Sequence, residues 1–303
     1  MPEYLRQMAA GTLRLARPVL PKRWRGDTAV VPVVRLAGVI GIATPLRPAL
    51  SVATLARALD RAFAVRRARA VAVVINSPGG SAVQSHLIFQ RIRALAEEKQ
   101  VPVIAFVEDV AASGGYMIAC AADEIVCDPA SIVGSIGVIG ASFGFSEAMK
   151  KLGVERRIHT SGTNKSMLDP FLPEKEEDVQ RLEAIQRDIH DLFISLVRTR
   201  RGERLTGPEQ SLFSGEFWVA GTAKAFGLID QIGELRTFLR QRFGKEVTMP
   251  LISSERTLFG RRVPGIAGSL PQAVLEQVTE PPGFAEDIVS AIEARALWAR
   301  FGL

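Results

Sequence analysis

The stretch that decides the fold is AVAVVINSPGGSAVQSHLIFQRIRAL, residues 70–95. Its opening, Ala70 to Ile75, is almost continuously apolar, as expected for a strand covered on both faces. Asn76-Ser77-Pro78-Gly79-Gly80 is a turn, after which Val83, Leu87, Ile88, Ile92 and Leu95 recur at helical spacing. Further strands are expected over Val103 to Val107, again apolar, and over Ile125 to Cys127. Strand, glycine turn, helix and strand again describe βαβ-type units around a mainly parallel sheet, an α/β fold.

Working outward, Val30 to Leu36 and Val39 to Ile42 are apolar runs broken at Ala37-Gly38, consistent with two short strands or a bend. Pro45, Pro48 and Ser51 lead into a helix expected from about Val52 to Val65. Glu155 to His159 reads as one more short strand. Pro173 to Arg201 is the clearest helix: acidic residues occupy its first turn, Arg198, Arg200 and Arg201 its last, and Gly202 can close it. Val179, Leu182, Ile185, Ile189, Leu192 and Leu196 form its expected buried stripe. Beyond Lys245 the patterning weakens among prolines until an amphipathic piece from Ala285 to Phe301. The reading is one central domain, residues 27–245, with a basic N-terminal segment (1–26) and a C-terminal extension of unknown role (246–303).

Composition limits the function classes. The chain has 303 residues, 47% apolar and 23% charged, which suits an ordinary globular protein. Cys120 and Cys127 lie in apolar stretches and read as buried thiols. Their spacing, and the scattering of His86, His159 and His190, offer no metal site. The net charge of +6 gathers at Arg6, Arg14, Arg17, Lys22, Arg23 and Arg25. That clustering argues against nucleic-acid binding. It admits either a peripheral contact with an anionic membrane or a solvated tail. No apolar run approaches the roughly 18 residues that cross a bilayer. No signal-peptide core is evident, so the expected location is cytoplasmic or peripheral on the cytoplasmic membrane.

Four motifs carry chemistry. Ser113 lies in VAASGGY (110–116), where Gly114 and Gly115 let a carbonyl approach the backbone. It reads as a nucleophile, or else as a helix cap. Gly79 and Gly80 follow a strand end, where α/β sheets put their ligands, and offer a backbone N–H to an oxyanion. Lys165, in the polar loop SGTNKS (161–166), reads as a general base or as a solvated surface lysine. A lysine titrates near ~10.4 in water, so base chemistry requires a site that desolvates the amine. Ser135, in GSIG (134–137), is a partner for that amine. No histidine suits the role of base. Val83, Ile136, Val138 and Ile139 offer an apolar lining for an extended peptide bound as an added strand. The set describes a serine hydrolase working without histidine, metal or other cofactor.

INSPGG (75–80), EDVAASGGY (108–116), SIVGSIGVIG (131–140) and GTNKSMLDPF (162–171), in that order, resemble the signal peptide peptidase A family of serine–lysine peptidases. The likeness runs from about Val30 to Phe243 and is greatest to the short single-domain branch. It implies the ClpP/crotonase-like superhelix of β-β-α units. It also implies Ser113 as nucleophile, Lys165 as base, Ser135 as the hydroxyl contacting the lysine, and Gly80 with Gly114 as oxyanion donors. Family members form dome-shaped rings in which the lysine can reach a neighbouring subunit's serine. The implied substrates are signal-peptide remnants and other apolar peptides. Many members carry an N-terminal membrane anchor, and none is evident here. A crotonase-like acyl-CoA enzyme and a non-catalytic ring scaffold are the alternative readings.

Overall fold

The computed structural model describes residues 28–43, 49–253 and 284–303; the basic segment 1–26 lies outside them. In chain order the elements begin with β1 (Val33–Ala37), α1 (Val52–Phe63), β2 (Val71–Ser77), α2 (Ala82–Lys99), β3 (Val103–Ala112) and α3 (Gly114–Ala119). There follow β4 (Glu124–Cys127), β5 (Ile132–Gly134), α4 (Ser146–Leu152), α5 (Glu176–Arg201) and α6 (Glu209–Leu212). The last are β6 (Phe217–Val219), α7 (Ala220–Ala225), β7 (Gln231–Ile232), α8 (Leu235–Phe243) and α9 (Phe284–Ala299).

The sheet runs β1-β2-β3-β4-β7 with parallel pairing throughout that path. Every residue of β2 is buried, which is why Val71 to Ile75 is an unbroken apolar run rather than an alternating one. One face packs on α1, α2, α3 and the last turns of α5, with Leu59, Ile75, Ile88 and Tyr116 in the core. The other face holds Val33, Val74 and Phe106 beneath α8, where Phe106 and Phe238 meet edge to face at 5.6 Å. β3 is long enough to serve two partners. Its first half pairs with β4 and its second half, Val110 to Ala112, with β5, which pairs in turn with β6. This fork delivers the chain to Ser113.

Of the two readings of Val30 to Ile42, the structure takes the bend: β1 ends at Ala37, the chain bends at Gly38, and Ile40 makes only single bridges to Leu50 and Gly80. Two expectations change. Glu155 to His159 is an exposed non-strand segment without a neighbouring strand, its charges satisfied by side-chain pairs such as Arg157–Glu155 at 2.7 Å. In α5 the buried row is Asp178, Phe193, Val197 and Arg201, whereas Ile185 and Leu192 remain 50% and 44% exposed. Only the last turns of α5 reach the core; on the earlier turns Val179, Leu182 and Ile189 are half-buried, and Ile185 is left exposed. The sheet also continues past residue 245. Val31 N–H donates to the Thr248 carbonyl and Ile252 N–H to that of Val33, adding residues up to Ile252 as an edge beside β1.

Arg201 is buried and forks onto Asp230 at 2.9 and 3.0 Å while its Nε donates to the Gly227 carbonyl. Burial pushes the Asp230 carboxyl up, but hydrogen bonds from Arg201 and the Ile125 N–H, with the charges of Arg201 and Arg204, hold it below the ordinary value. A depressed carboxyl stabilises the fold above its unfolded-state pKa and loses that contribution as pH falls through the folded value. Asp230→Asn is therefore expected to lose roughly 3 kcal/mol in urea unfolding at neutral pH, since it leaves Arg201 buried and uncompensated. The deficit should shrink as the wild type is acidified below about pH 4.

Candidate active site

Ser113 follows β3 directly and heads α3 with φ +52° and ψ −121°. For a residue with a side chain that conformation costs about 1–3 kcal/mol and persists only where the surroundings impose it. Here the preceding Ala112 is paired in register with Gly134, and the Ser113 N–H donates to the Gly134 carbonyl at 2.9 Å. The hydroxyl makes no capping hydrogen bond, so capping α3 is not its role.

The glycine turn after β2 stands against this serine. A Cβ on Gly79 would fall 2.8 Å from the Ser113 Cβ and 3.1 Å from the Gly114 nitrogen, so the three groups converge. Gly80 adopts φ +136°, and a Cβ there would lie 2.2 Å from the Ile40 carbonyl oxygen. Only glycine fits. Ile40 N–H donates to the Gly79 carbonyl and Ser81 N–H to the Ile40 carbonyl, both at 2.8 Å. That bridge leaves the Gly80 N–H on the other side of the backbone. Gly114 is the first residue of α3, and its N–H has no intrahelical acceptor. The geometry thus offers an uncapped hydroxyl beside two backbone donors not used by the fold.

Ser135 is joined to the same unit. It is buried at φ +53°, and its N–H donates to the Glu216 carbonyl at 2.6 Å. Among the described residues no hydrogen bond engages its hydroxyl. Of the expected apolar lining, Val83 is 66% exposed, Ile139 is exposed and Val138 half-buried. Ile136 is fully buried in the main core and presents no surface to a ligand.

Among the described residues no hydrogen bond brings Lys165 onto Ser113. It sits exposed in the turns of residues 161–168, its N–H donating to the Gly162 carbonyl at 3.3 Å, and among the described residues no hydrogen bond or ion pair engages its amine. The desolvated amine expected from the sequence is absent from the single chain. Nearby Asp169 is occupied by Arg156 at 2.8 Å and by the Phe171 N–H.

Some contributors escaped sequence reasoning. Ile40 clamps the glycine turn, although its apolar run carried only a strand signal. Ser85, buried under Gly114, bonds the Ser81 carbonyl at 2.7 Å and sets the close approach of α2 to α3. Asn76 donates to Asp109 at 2.5 Å, tying the turn to β3. The histidines stand apart: His190 lies against the Ile136 carbonyl, His86 stacks on Phe89, and His159 is exposed. Burial pushes the Cys120 thiol up to about 12 and raises that of Cys127 as well, so both are inert free thiols. Among the described residues no cluster of His, Cys, Asp or Glu is arranged to hold a metal ion.

The model of peptidase family S49 matches residues 95–246, which include Ser113, Ser135 and Lys165. The chain is 51% identical over 290 residues, 95% of its length, to a Brucella abortus protein named Na(+)/H(+) antiporter NhaA. It is 30% identical over 265 residues, 82% of its length, to the chloroplastic serine protease SPPA of Arabidopsis thaliana. It spans 39% of the length of each of these relatives. A solved membrane-bound stomatin-specific protease covers 75% of this chain at 17% identity, with a TM-score of 0.43. The chain belongs to peptidase family S49, the signal peptide peptidase A family of serine peptidases. Its forked, mainly parallel sheet, with β6 antiparallel to β5, is the ClpP/crotonase-like α/β fold of that family.

The left-handed turn at Ser113 makes a stability prediction. Ser113→Gly removes the Cβ penalty and Ser113→Ala keeps it, while glycine costs some unfolded-state entropy. Thermal unfolding is expected to find Ser113→Gly more stable than Ser113→Ala by about 1 kcal/mol; equal or reversed stabilities would mean that the turn is unstrained.

Proposed function

We propose that this chain is a serine endopeptidase that cleaves extended apolar peptides through a Ser113–Lys165 dyad and an acyl-enzyme. The observation that carries the reading is the uncapped Ser113 hydroxyl, held at positive φ beside the Gly80 and Gly114 amides. A neutral Lys165 amine takes the proton from the Ser113 hydroxyl as its oxygen attacks the scissile carbonyl. The oxyanion accepts hydrogen bonds from the two amide N–H groups, each donor contributing roughly 2.7–4 kcal/mol of transition-state stabilisation. The leaving amine takes the proton back from Lys165, and water then repeats the sequence on the acyl-enzyme. Ser135 orients the lysine amine.

The exposure of Lys165 supports a dyad formed between copies of the chain rather than within one. The same part of the molecule leaves Ile139, Phe143, Leu152 and Val154 exposed by 69%, 80%, 75% and 52%. These side chains, with Ile185 and Leu192 on α5, are what a ring of subunits would cover, and covering them would desolvate the amine. An extended substrate adds along the Gly79–Gly80 edge, with Val83 and Val138 at its rim. Among the described residues no helix is long and apolar enough to cross a membrane. The basic segment 1–26, with its six Arg and Lys residues, is the part of the chain suited to a contact with an anionic membrane.

Ser113→Ala and Lys165→Ala are each expected to lower peptide hydrolysis by at least about a thousandfold while leaving assembly unchanged. Mixing the two inactive variants should restore part of the activity, because a mixed ring contains sites with both intact residues. Full activity of Lys165→Ala, or a rate flat with pH where an amine base should gain activity as pH rises, would overturn the dyad. Turnover of an acyl-CoA in place of peptides would favour the crotonase-like alternative.

A further inference from the structure

We infer that Phe301 is a positioning residue for the nucleophile, bracing from behind the strand unit that holds Ser113 and Ser135. The inference rests on the proposed serine chemistry and adds a residue that no site motif contains. After α9 the chain turns back, with Phe301 N–H donating to the Trp298 carbonyl at 3.0 Å. This buries the Phe301 ring to 8% exposure in a small cluster of its own with Val110, Ala112, Ile132 and Trp298. The Phe217 ring stands edge-on to it at 5.0 Å.

The partners come from three strands at the fork of the sheet. Val110 and Ala112 belong to β3, Ile132 to β5 and Phe217 to β6. Their register couples them closely: Val110 pairs with Ile132, Ala112 with Gly134, and Gly134 with Phe217. Ala112 immediately precedes Ser113, and Gly134 immediately precedes Ser135. The Ser113 N–H is bonded to the Gly134 carbonyl. Ser113, Gly134 and Ser135 all have positive φ. Backbone in such sparsely populated regions persists only where its surroundings over-determine it. The main core supplies that on the helix-bearing face, through Ala111 and Val133. On the opposite face the cluster around Phe301 supplies it. β5 and β6 have three residues each, too few to hold their own register without a packed face.

The test compares full-length wild type with Phe301→Ala, Phe301→Leu and Phe217→Ala. Rates of Ser113 labelling by a fluorophosphonate, and kcat and KM for a peptide, are referred to the folded fraction found by circular dichroism. Phe301→Ala is expected to slow labelling and kcat by about ten- to a hundredfold, as a small misplacement of reacting groups does, with KM within about twofold. Phe301→Leu should recover most of the loss, and Phe217→Ala should show a smaller loss of the same kind. If Phe301→Ala does not fold, Phe217→Ala decides: reduced kcat at constant KM supports the inference and wild-type kcat overturns it. Wild-type labelling and kcat in folded Phe301→Ala overturn it, as does a loss that merely follows the folded fraction. A wild type that neither labels nor cleaves would instead refute the serine reading, and the brace would fall with it.

Discussion

Everything around the candidate site depends on one awkward stretch of backbone, the left-handed turn at Ser113. L-residues avoid this conformation, so the fold must hold it from several sides at once. The Gly134 carbonyl takes the serine N–H, and Ala112 is locked into the sheet beside Gly134. The glycine turn after β2 fills the space in front, with Ile40 gripping it from the edge. Removing the strain by flattening the turn would withdraw the hydroxyl from the two amides, so strain and geometry are one design.

The helix that begins there is held equally firmly at its far end. All six residues of α3 are buried. Arg200 donates to the Cys120 and Ala122 carbonyls at 2.8 and 2.9 Å, cationic groups at a helix C-terminus, where they complement its partial negative charge. The Tyr116 hydroxyl reaches the Leu228 carbonyl at 2.7 Å, which satisfies a polar group that burial would otherwise penalise. Arg201 and Asp230 then tie α5 to the segment before β7. These contacts make the floor of the site rigid. In contrast, residues 139–175 and the early turns of α5 carry apolar side chains outward. One molecule therefore combines a rigidly held Ser113 and glycine turn with an exposed apolar surface that also carries Lys165.

Much of this was legible in the residues alone. The buried parallel strands announced themselves as unbroken apolar runs, because a strand covered on both faces has no polar side to alternate with. The glycines at 79, 80 and 114 marked close approaches, which Ile40, Ser113 and Ser85 turn out to make. Other features were misread for physical reasons. The period of α5 reported an apolar stripe correctly, but not which part of it the chain itself would cover. Glu155 to His159 had a strand-like pattern without a partner strand, and pairing is a property of the neighbour. Ile136 sat in a motif with Ser135 and Val138, yet its side chain turns into the core.

The sequence by itself determined the class of fold, the identity of the nucleophile candidate and the chemistry of the residues around it. Those follow from local periodicity and from residue types that few other roles demand. Tertiary structure alone decided that β3 forks, that Ile40 clamps the glycine turn, and that Phe301 packs against the strands leading to Ser113. It also decided that Lys165 stands exposed in the single chain. Such facts depend on which distant segments meet and on which face each is covered, and no local pattern of residues encodes a meeting.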